Sequence, residues 1–239
     1  MSNNQEQIDQ FLEYFNEIEK YLSNKDSSSN LGFARLIGKY QDSDKIIRQY
    51  AGELMHLKDI RNILVHNNNY YAVPNEFSMG KIKNIRDKII NPPRVYPLFN
   101  SKVETVNNNQ PIIEVIKFMK ERSYSQVPVV NDDNQFLDLI TNNAISRWIG
   151  NLADQDRGQT VFEKASVKDV LDYEEESSVF EFIARDTLIV DVIDRFEEAQ
   201  KQGRKLEAIF ITDNGSKTEK LLDILTSWDL PEMYAELEI

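Results

Sequence analysis

Apolar residues recur along this chain with two different periods, and the change falls near residue 92. Ile8, Phe11, Leu12, Phe15, Ile18 and Leu22 stand three and four apart, the spacing of one helical stripe. Ser27-Ser28-Ser29-Asn30 interrupts it, a shorter helix is expected over 31–40, and a third helix over 43–65. The third seam runs Ile47, Tyr50, Leu54, Leu57, then Arg61, then Leu64. Asn67-Asn68-Asn69 is expected to end it, since consecutive asparagines favour turns and left-handed backbone. A fourth helix over 81–90 must stop at Asn91-Pro92-Pro93, because neither proline donates a helical hydrogen bond. Residues 1–92 thus read as an all-α domain.

Beyond the prolines, helix and strand patterns alternate. A helix over 111–122 opens on a proline, where the missing N–H costs nothing. Val127-Pro128-Val129-Val130 reads as a short buried strand, Asp132-Asp133-Asn134 as a turn, 136–141 as the partner strand and 142–150 as a helix. The order then returns: helix over 188–203, strand over 208–212, a hairpin-type turn at Asp213-Asn214-Gly215, strand over 221–226, and a helix from Ser227 onward. Ile113-Glu114-Val115-Ile116 mirrors Val190-Asp191-Val192-Ile193, and Leu137-Asp138-Leu139-Ile140-Thr141 mirrors Leu222-Asp223-Ile224-Leu225-Thr226. The offsets are 77 and 85, so the second copy carries eight more residues, mostly in loops. Two copies make a paired module, not a solenoid.

Composition narrows the chemistry. With 28 Lys and Arg against 40 Asp and Glu, the 239 residues carry a net charge of −12, which disfavours a whole-molecule nucleic-acid or anionic-membrane surface. The charge is uneven. Residues 95–239 carry 15 basic and 28 acidic groups, whereas 31–94 carry 11 basic and 6 acidic, so affinity for a polyanion stays open only in the helical part. There is no cysteine, which excludes disulfides, thiol catalysis and Cys-based metal sites. His56 and His66 are the only histidines, and no Gly-rich phosphate loop is present. Asp132-Asp133 and Glu174-Glu175-Glu176 read as solvated turns, and no metal site is expected. The polar N-terminus and the lack of a long uncharged apolar run suggest a cytoplasmic protein without a membrane partner.

Each repeat ends in strand–Thr–x–x–residue–helix. A threonine there presents its hydroxyl beside unpaired backbone N–H groups, a local anion site suited to phosphate. An acid three residues on can accept from a ribose diol. The second copy has both, Thr226 and Asp229; the first has Thr141, with Ala144 at the carboxylate position. The same Thr–Asp pair also reads as a plain helix-start cap with no ligand. On these motifs, with Val127-Pro128-Val129-Val130 and a lead-in at 167–171, the repeat resembles a tandem CBS-domain pair. It departs from that family in placing Asp138 and Asp223 where a glycine is usual. The resemblance implies an α+β chain: an all-α domain followed over 98–239 by two β-α-β-β-α units (about 98–155 and 166–236). It further implies an adenosine-containing ligand: AMP, ADP, ATP or S-adenosylmethionine. By that carry-over Thr226 meets phosphate, Asp229 the ribose, Ile183 and Ile209 the base, and Arg204 and Lys205 add charge. Thr141 marks a weaker first cleft. Trp148 and Trp228 are expected to pack between CBS pairs.

Arg61 on an apolar seam should face a partner or a cleft, since an unpaired buried guanidinium is costly. Leu57-Lys58-Asp59-Ile60-Arg61-Asn62-Ile63-Leu64-Val65-His66-Asn67 resembles the signature of the HEPN superfamily of helical domains, whose active members are dimeric, metal-independent ribonucleases. The resemblance implies catalysis by Arg61, Asn62 and His66: histidine moves the 2′-hydroxyl proton and arginine stabilises the phosphorane. In an unbroken helix Arg61 and His66 diverge by ~140°, so that role needs fraying after Val65. Without catalysis, His66 is favoured by the helix dipole and Arg61 can extend to solvent. His56, on another face, reads as a surface or interface residue. The expected protein is a homodimeric regulator: a CBS pair that binds an adenine nucleotide and signals through 92–97 to a helical effector. The alternatives are a nucleotide-controlled ribonuclease with RNA as partner, or a non-catalytic dimerisation module.

Overall fold

The computed structural model describes residues 2–25, 31–66, 72–153, 162–173 and 178–238. The stretches 27–30, 67–69 and 174–176, read above as breaks and solvated loops, lie outside the described residues. The chain forms two compact units, Met1–Pro93 with Glu232–Ile239, and Arg94–Pro231. The fold class is α+β.

The first unit contains α1 (Ser2–Lys25), α2 (Phe33–Tyr40), α3 (Lys45–His66) and α4 (Glu76–Ile90). The apolar stripes meet inside: Phe11, Phe15, Ile18 and Leu22 of α1, Ile47, Tyr50, Leu54 and Leu57 of α3, and Ile82, Ile85 and Ile89 of α4 are all buried. Helix α4 starts five residues earlier than its apolar pattern alone suggests. The Asn75 side chain caps it by accepting from the Ser78 N–H at 2.8 Å. Helix α3 continues through His66, so the fraying after Val65 that a catalytic pair would need is not seen, and positions 61 and 66 sit on different faces.

The second unit is built twice from one plan. In the first repeat β1 (Val106–Asn107) runs parallel to β2 (Gln126–Val130), which pairs antiparallel with β3 (Phe136–Thr141); α5 (Ile112–Arg122) and α6 (Asn142–Ala153) complete it. In the second, β4 (Ser178–Ala184) runs parallel to β5 (Lys205–Thr212), β5 pairs antiparallel with β6 (Asp223–Leu225), and α7 (Ile189–Lys201) and α8 (Leu230–Leu237) follow. Both repeats are therefore β-α-β-β-α. The last strand is shorter than its apolar run, and a 3₁₀ turn, Ser227–Asp229, precedes α8. Gly215 has φ +82°, and a Cβ there would stand 3.1 Å from the Ala184 nitrogen, so the turn before β6 requires glycine.

The repeats share one aromatic seam. Phe136 and Leu139 of the first pack with Phe180, Phe182, Ala208 and Phe210 of the second. Phe136 lies 4.8 Å from the Phe210 ring and 5.2 Å from Phe182, centroid to centroid. Each repeat's lead-in crosses to the other. The Arg94 segment bridges Leu188, and the Val95 N–H donates to the Thr187 carbonyl at 2.9 Å. Reciprocally, Ser166 bridges Pro111, and the Val167 N–H donates to the Gln110 carbonyl at 3.0 Å. Residues 94–97, expected to form part of a linker, are thus a built part of the second unit.

The C-terminal end departs from the sequence-based division. Residues from Glu232 onward, assigned above to the second repeat, cluster with the helical unit. Met233 and Leu237 are buried, the Tyr50 hydroxyl donates to the Leu237 carbonyl at 2.9 Å, and Gln49 donates to the Glu238 carbonyl at 3.0 Å.

Candidate functional site

The Thr–x–x–residue motif falls at the same place in each repeat, where the third strand gives way to a helix. In the second repeat Thr226 is extended (φ −130°, ψ 176°) and caps the turn that follows. Its hydroxyl accepts from the Trp228 N–H at 3.2 Å. Asp229 reaches back: its Oδ2 accepts from the Thr226 N–H at 2.6 Å and from the Thr226 hydroxyl at 3.1 Å. The pair is therefore a capping box, the reading set above beside the ligand one. Asp229 Oδ1 has no partner among the described residues, and the side chain is only half-buried, so one oxygen stays free to accept from a ligand hydroxyl.

In the first repeat Thr141 is buried, and its hydroxyl accepts from the Ala144 N–H at 3.1 Å. Ala144 has no exposed surface and belongs to the core of that repeat. A carboxylate at that position would be buried, which gives a physical reason for alanine there.

Sheet register collects several of the other candidates. Ser178 pairs with Lys205 and Ile209 with Leu225, so the starts of β4 and β5 and the end of β6, with Thr226, share one edge. Lys205 Nζ is paired with Glu207 at 2.5 Å, and Arg204 Nε donates to Gln202 at 3.0 Å. Both cations thus have partners within the protein. Ile183 and Ile209 lie on the same sheet face, two residues apart through their partners, and both are fully buried. The Gln126 amide, at the equivalent edge of the first repeat, donates to the Glu207 carbonyl at 2.5 Å and joins the two edges.

The two aspartates at the unusual glycine positions act alike. Asp138 and Asp223 each accept from the next N–H, at Leu139 and Ile224, both at 2.8 Å. Asp223 also accepts from the Ser101 N–H at 2.8 Å, which fastens the chain ahead of β1 to the second repeat. Burial pushes the Asp223 carboxyl above its ordinary value; the Ser101 and Ile224 N–H groups pull the other way, and the Asp229 charge adds to the rise. Sequence reading passed over this anchor because its partner lies far off in sequence.

The tryptophans do not act as a matched pair within the chain. Trp148 is buried and stacks on Phe162 at 5.5 Å, whereas Trp228 is 85% exposed. In the helical unit, Arg61 and Asn62 line a cleft with Phe15, Phe33, Arg35 and Lys58. Among the described residues no group of three His, Asp or Glu side chains could hold a metal ion, and no helix is long and apolar enough to cross a membrane.

Two β-α-β-β-α units with a shared seam and reciprocal lead-ins define a tandem-repeat module. Residues 95–151, the first repeat with its lead-in, match the family model of the CBS domain. Solved structures with partial likeness include CBSX2 in complex with AMP, at 11% identity over 61% of this chain and 98% of that one, with a TM-score of 0.44. A CBS domain pair in complex with 5′-methylthioadenosine and S-adenosylmethionine shares 15% identity over 60% and 96%, TM-score 0.43. The CBS domain of a membrane protein from Sphaerobacter thermophilus shares 18% over 59% and 86%, TM-score 0.42. No curated protein matches the chain by sequence.

Proposed function

We propose that this protein is a ligand-responsive regulator whose second repeat binds an adenosine-containing compound (AMP, ADP, ATP or S-adenosylmethionine) at Thr226 and Asp229. The observation that carries the reading is the free Oδ1 of Asp229, held at a fixed angle because Oδ2 is bound twice by Thr226. A carboxylate oriented in this way accepts from a ribose hydroxyl with little loss of side-chain freedom. Phosphate, where the ligand has it, meets the Ser227 N–H at the start of the 3₁₀ turn, since the Trp228 and Asp229 N–H groups are bonded to Thr226, with Lys205 and Arg204 supplying charge once they leave Glu207 and Gln202. Ile209, level with Leu225, and Ile183, further along β4, are buried on one face of that sheet, and a base reaches them only if the sheet opens there. The first repeat, with Thr141 but a core alanine at 144, binds weakly or not at all.

The route from sensor to effector follows the chain. Helix α8 begins at Leu230, next to Asp229, and from Glu232 its residues belong to the helical unit. A ligand that bonds to Asp229 therefore acts on the turn from which that helix starts, and its effect requires unequal affinity for two arrangements of the turn. The regulator acts as a homodimer, in the cytoplasm, on this reading. A ribonuclease built on Arg61, Asn62 and His66 is less favoured, because α3 is continuous and sets position 66 about 140° from Arg61. Its signature would be metal-independent cleavage leaving 2′,3′-cyclic phosphate ends, lost in His66→Ala.

Mass spectrometry of the small molecules released on denaturing the purified protein tests the reading. An adenosine compound is expected from wild type and should be depleted from Asp229→Ala. The same compound at equal amounts from both proteins would remove Asp229 from the site.

A further inference from the structure

A cleft in the helical unit gathers cations around Arg61. It has a volume of about 380 Å³ and lies between α1, the start of α2 and the last turns of α3. Its floor is aromatic: Phe15 and Phe33 pack with ring centroids 4.5 Å apart, and the Arg61 guanidinium sits 5.9 Å from the Phe15 ring. Three cations line it, Arg35, Lys58 and Arg61, against a single carboxylate, Glu19. Among the described residues Arg61 donates only to the neighbouring Asn62 amide, at 3.3 Å, and its buried Nε has no acceptor. Arg35 is exposed and has no carboxylate or hydrogen-bond partner among the described residues, and Lys58 has only the adjacent, exposed Asp59 at 3.5 Å.

The backbone adds to this charge. Helix α2 starts at the cleft with Gly32 as its cap, and no side chain caps it. Arg35 and Leu36 donate to the Gly32 carbonyl, which leaves the Phe33 and Ala34 N–H groups without an acceptor among the described residues. A buried guanidinium nitrogen with no partner is costly, and an oxyanion would satisfy it together with the helix start. The surrounding segment is also the basic part of an otherwise acidic chain, which draws anions toward this cleft.

We propose that this cleft binds a phosphate group, held by Arg35, Lys58 and Arg61 and the uncapped start of α2, with the aromatic floor beneath whatever the phosphate carries. This goes beyond the sensor reading and does not depend on it. The phosphate can come from a free mononucleotide or from a polynucleotide backbone, and the two sources are separable by competition.

The test uses the full chain and inorganic pyrophosphate, followed by titration calorimetry and by the ³¹P line width. Wild type should bind saturably. Arg35→Glu and Lys58→Glu, both surface changes, should each weaken binding tenfold or more while the thermal melt stays unchanged. Glu19→Gln should tighten it several-fold, an effect that a merely structural role for the cluster does not give. Thr226→Ala and Asp229→Ala should leave this binding intact, so failure of the second-repeat site is distinguishable from failure here. Displacement by uridine monophosphate assigns the free nucleotide as the source, and displacement by oligouridylate alone assigns a strand. No saturable binding to wild type, or wild-type affinity in both charge-reversal variants, would overturn the proposal.

Discussion

Asp229 has two oxygens with two roles in the proposal: Oδ2 closes the cap on Thr226, and Oδ1, without a partner among the described residues, is left to accept from the ligand. The roles are separable by mutation. Asp229→Ala removes both and should cost about 1 kcal/mol of stability, as for other lost helix caps; a thermal melt reads this. At Asp169 a carboxylate acts as a structural cap only. It accepts from the Ser166 N–H and hydroxyl, each at 2.8 Å, and these bonds hold its carboxyl below the usual range. The stability it lends is complete above the ordinary carboxylate value and disappears as pH falls through the depressed folded value. Asp169→Asn should therefore lower the melting temperature at pH 7 and flatten its fall on acidification. An unchanged pH profile would show that the Ser166 bonds contribute nothing. The Thr226–Asp229 cap was legible from sequence because local spacing fixes a cap. The Asp223–Ser101 anchor was not, because no local pattern links residues so far apart.

At the scale of elements, the two copies of one motif differ through packing. Position 144 begins a helix turned into the core, so Ala144→Asp should not create a second ligand site. It should destabilise the protein by about 3 kcal/mol or more, since a buried unpaired carboxylate is costly. A folded variant that gained nucleotide binding would contradict this account of the first repeat. Helix α8 makes the opposite point. Its pattern continues the second repeat, yet its buried residues Met233 and Leu237 lie in the helical unit. Tyr50 bonds to the docked end of α8 at the Leu237 carbonyl, and burial, with the Glu238 and Glu53 charges, pushes its phenol up to about 12. The folded state therefore holds the proton between the ordinary value near 10 and 12, and stability falls as pH rises through that range. Tyr50→Phe should cost about 1 kcal/mol at neutral pH through the lost Leu237 bond, and should weaken the loss of stability above pH 10. Strand and helix order was readable from apolar period. The destination of α8 was not, because an amphipathic helix does not state which unit its apolar face will meet.

For the whole molecule, the uneven charge sets how ligands approach. Residues 95–239 carry 28 acidic against 15 basic groups, so a multiply charged anion is repelled from this part of the chain more strongly than a less charged adenosine compound. Raising salt should accordingly strengthen ATP binding relative to AMP binding there, as screening removes the repulsion. The change of period near residue 92 marked the start of the α/β part, and the internal repeat marked its pairing. Neither could mark the return of the last helix to the first unit, because contacts between distant segments leave no periodic trace.

The central claim is that Asp229 of the second repeat accepts from the ribose of an adenosine ligand. Isothermal titration of wild type and Asp229→Asn with AMP, ADP, ATP and S-adenosylmethionine tests it most directly, since asparagine retains an acceptor for the Thr226 N–H. The account predicts one saturable site per chain for at least one of these ligands, with affinity reduced at least tenfold in Asp229→Asn and a melt close to wild type. No binding of any of the four to wild type, or equal affinity in the variant, would contradict it.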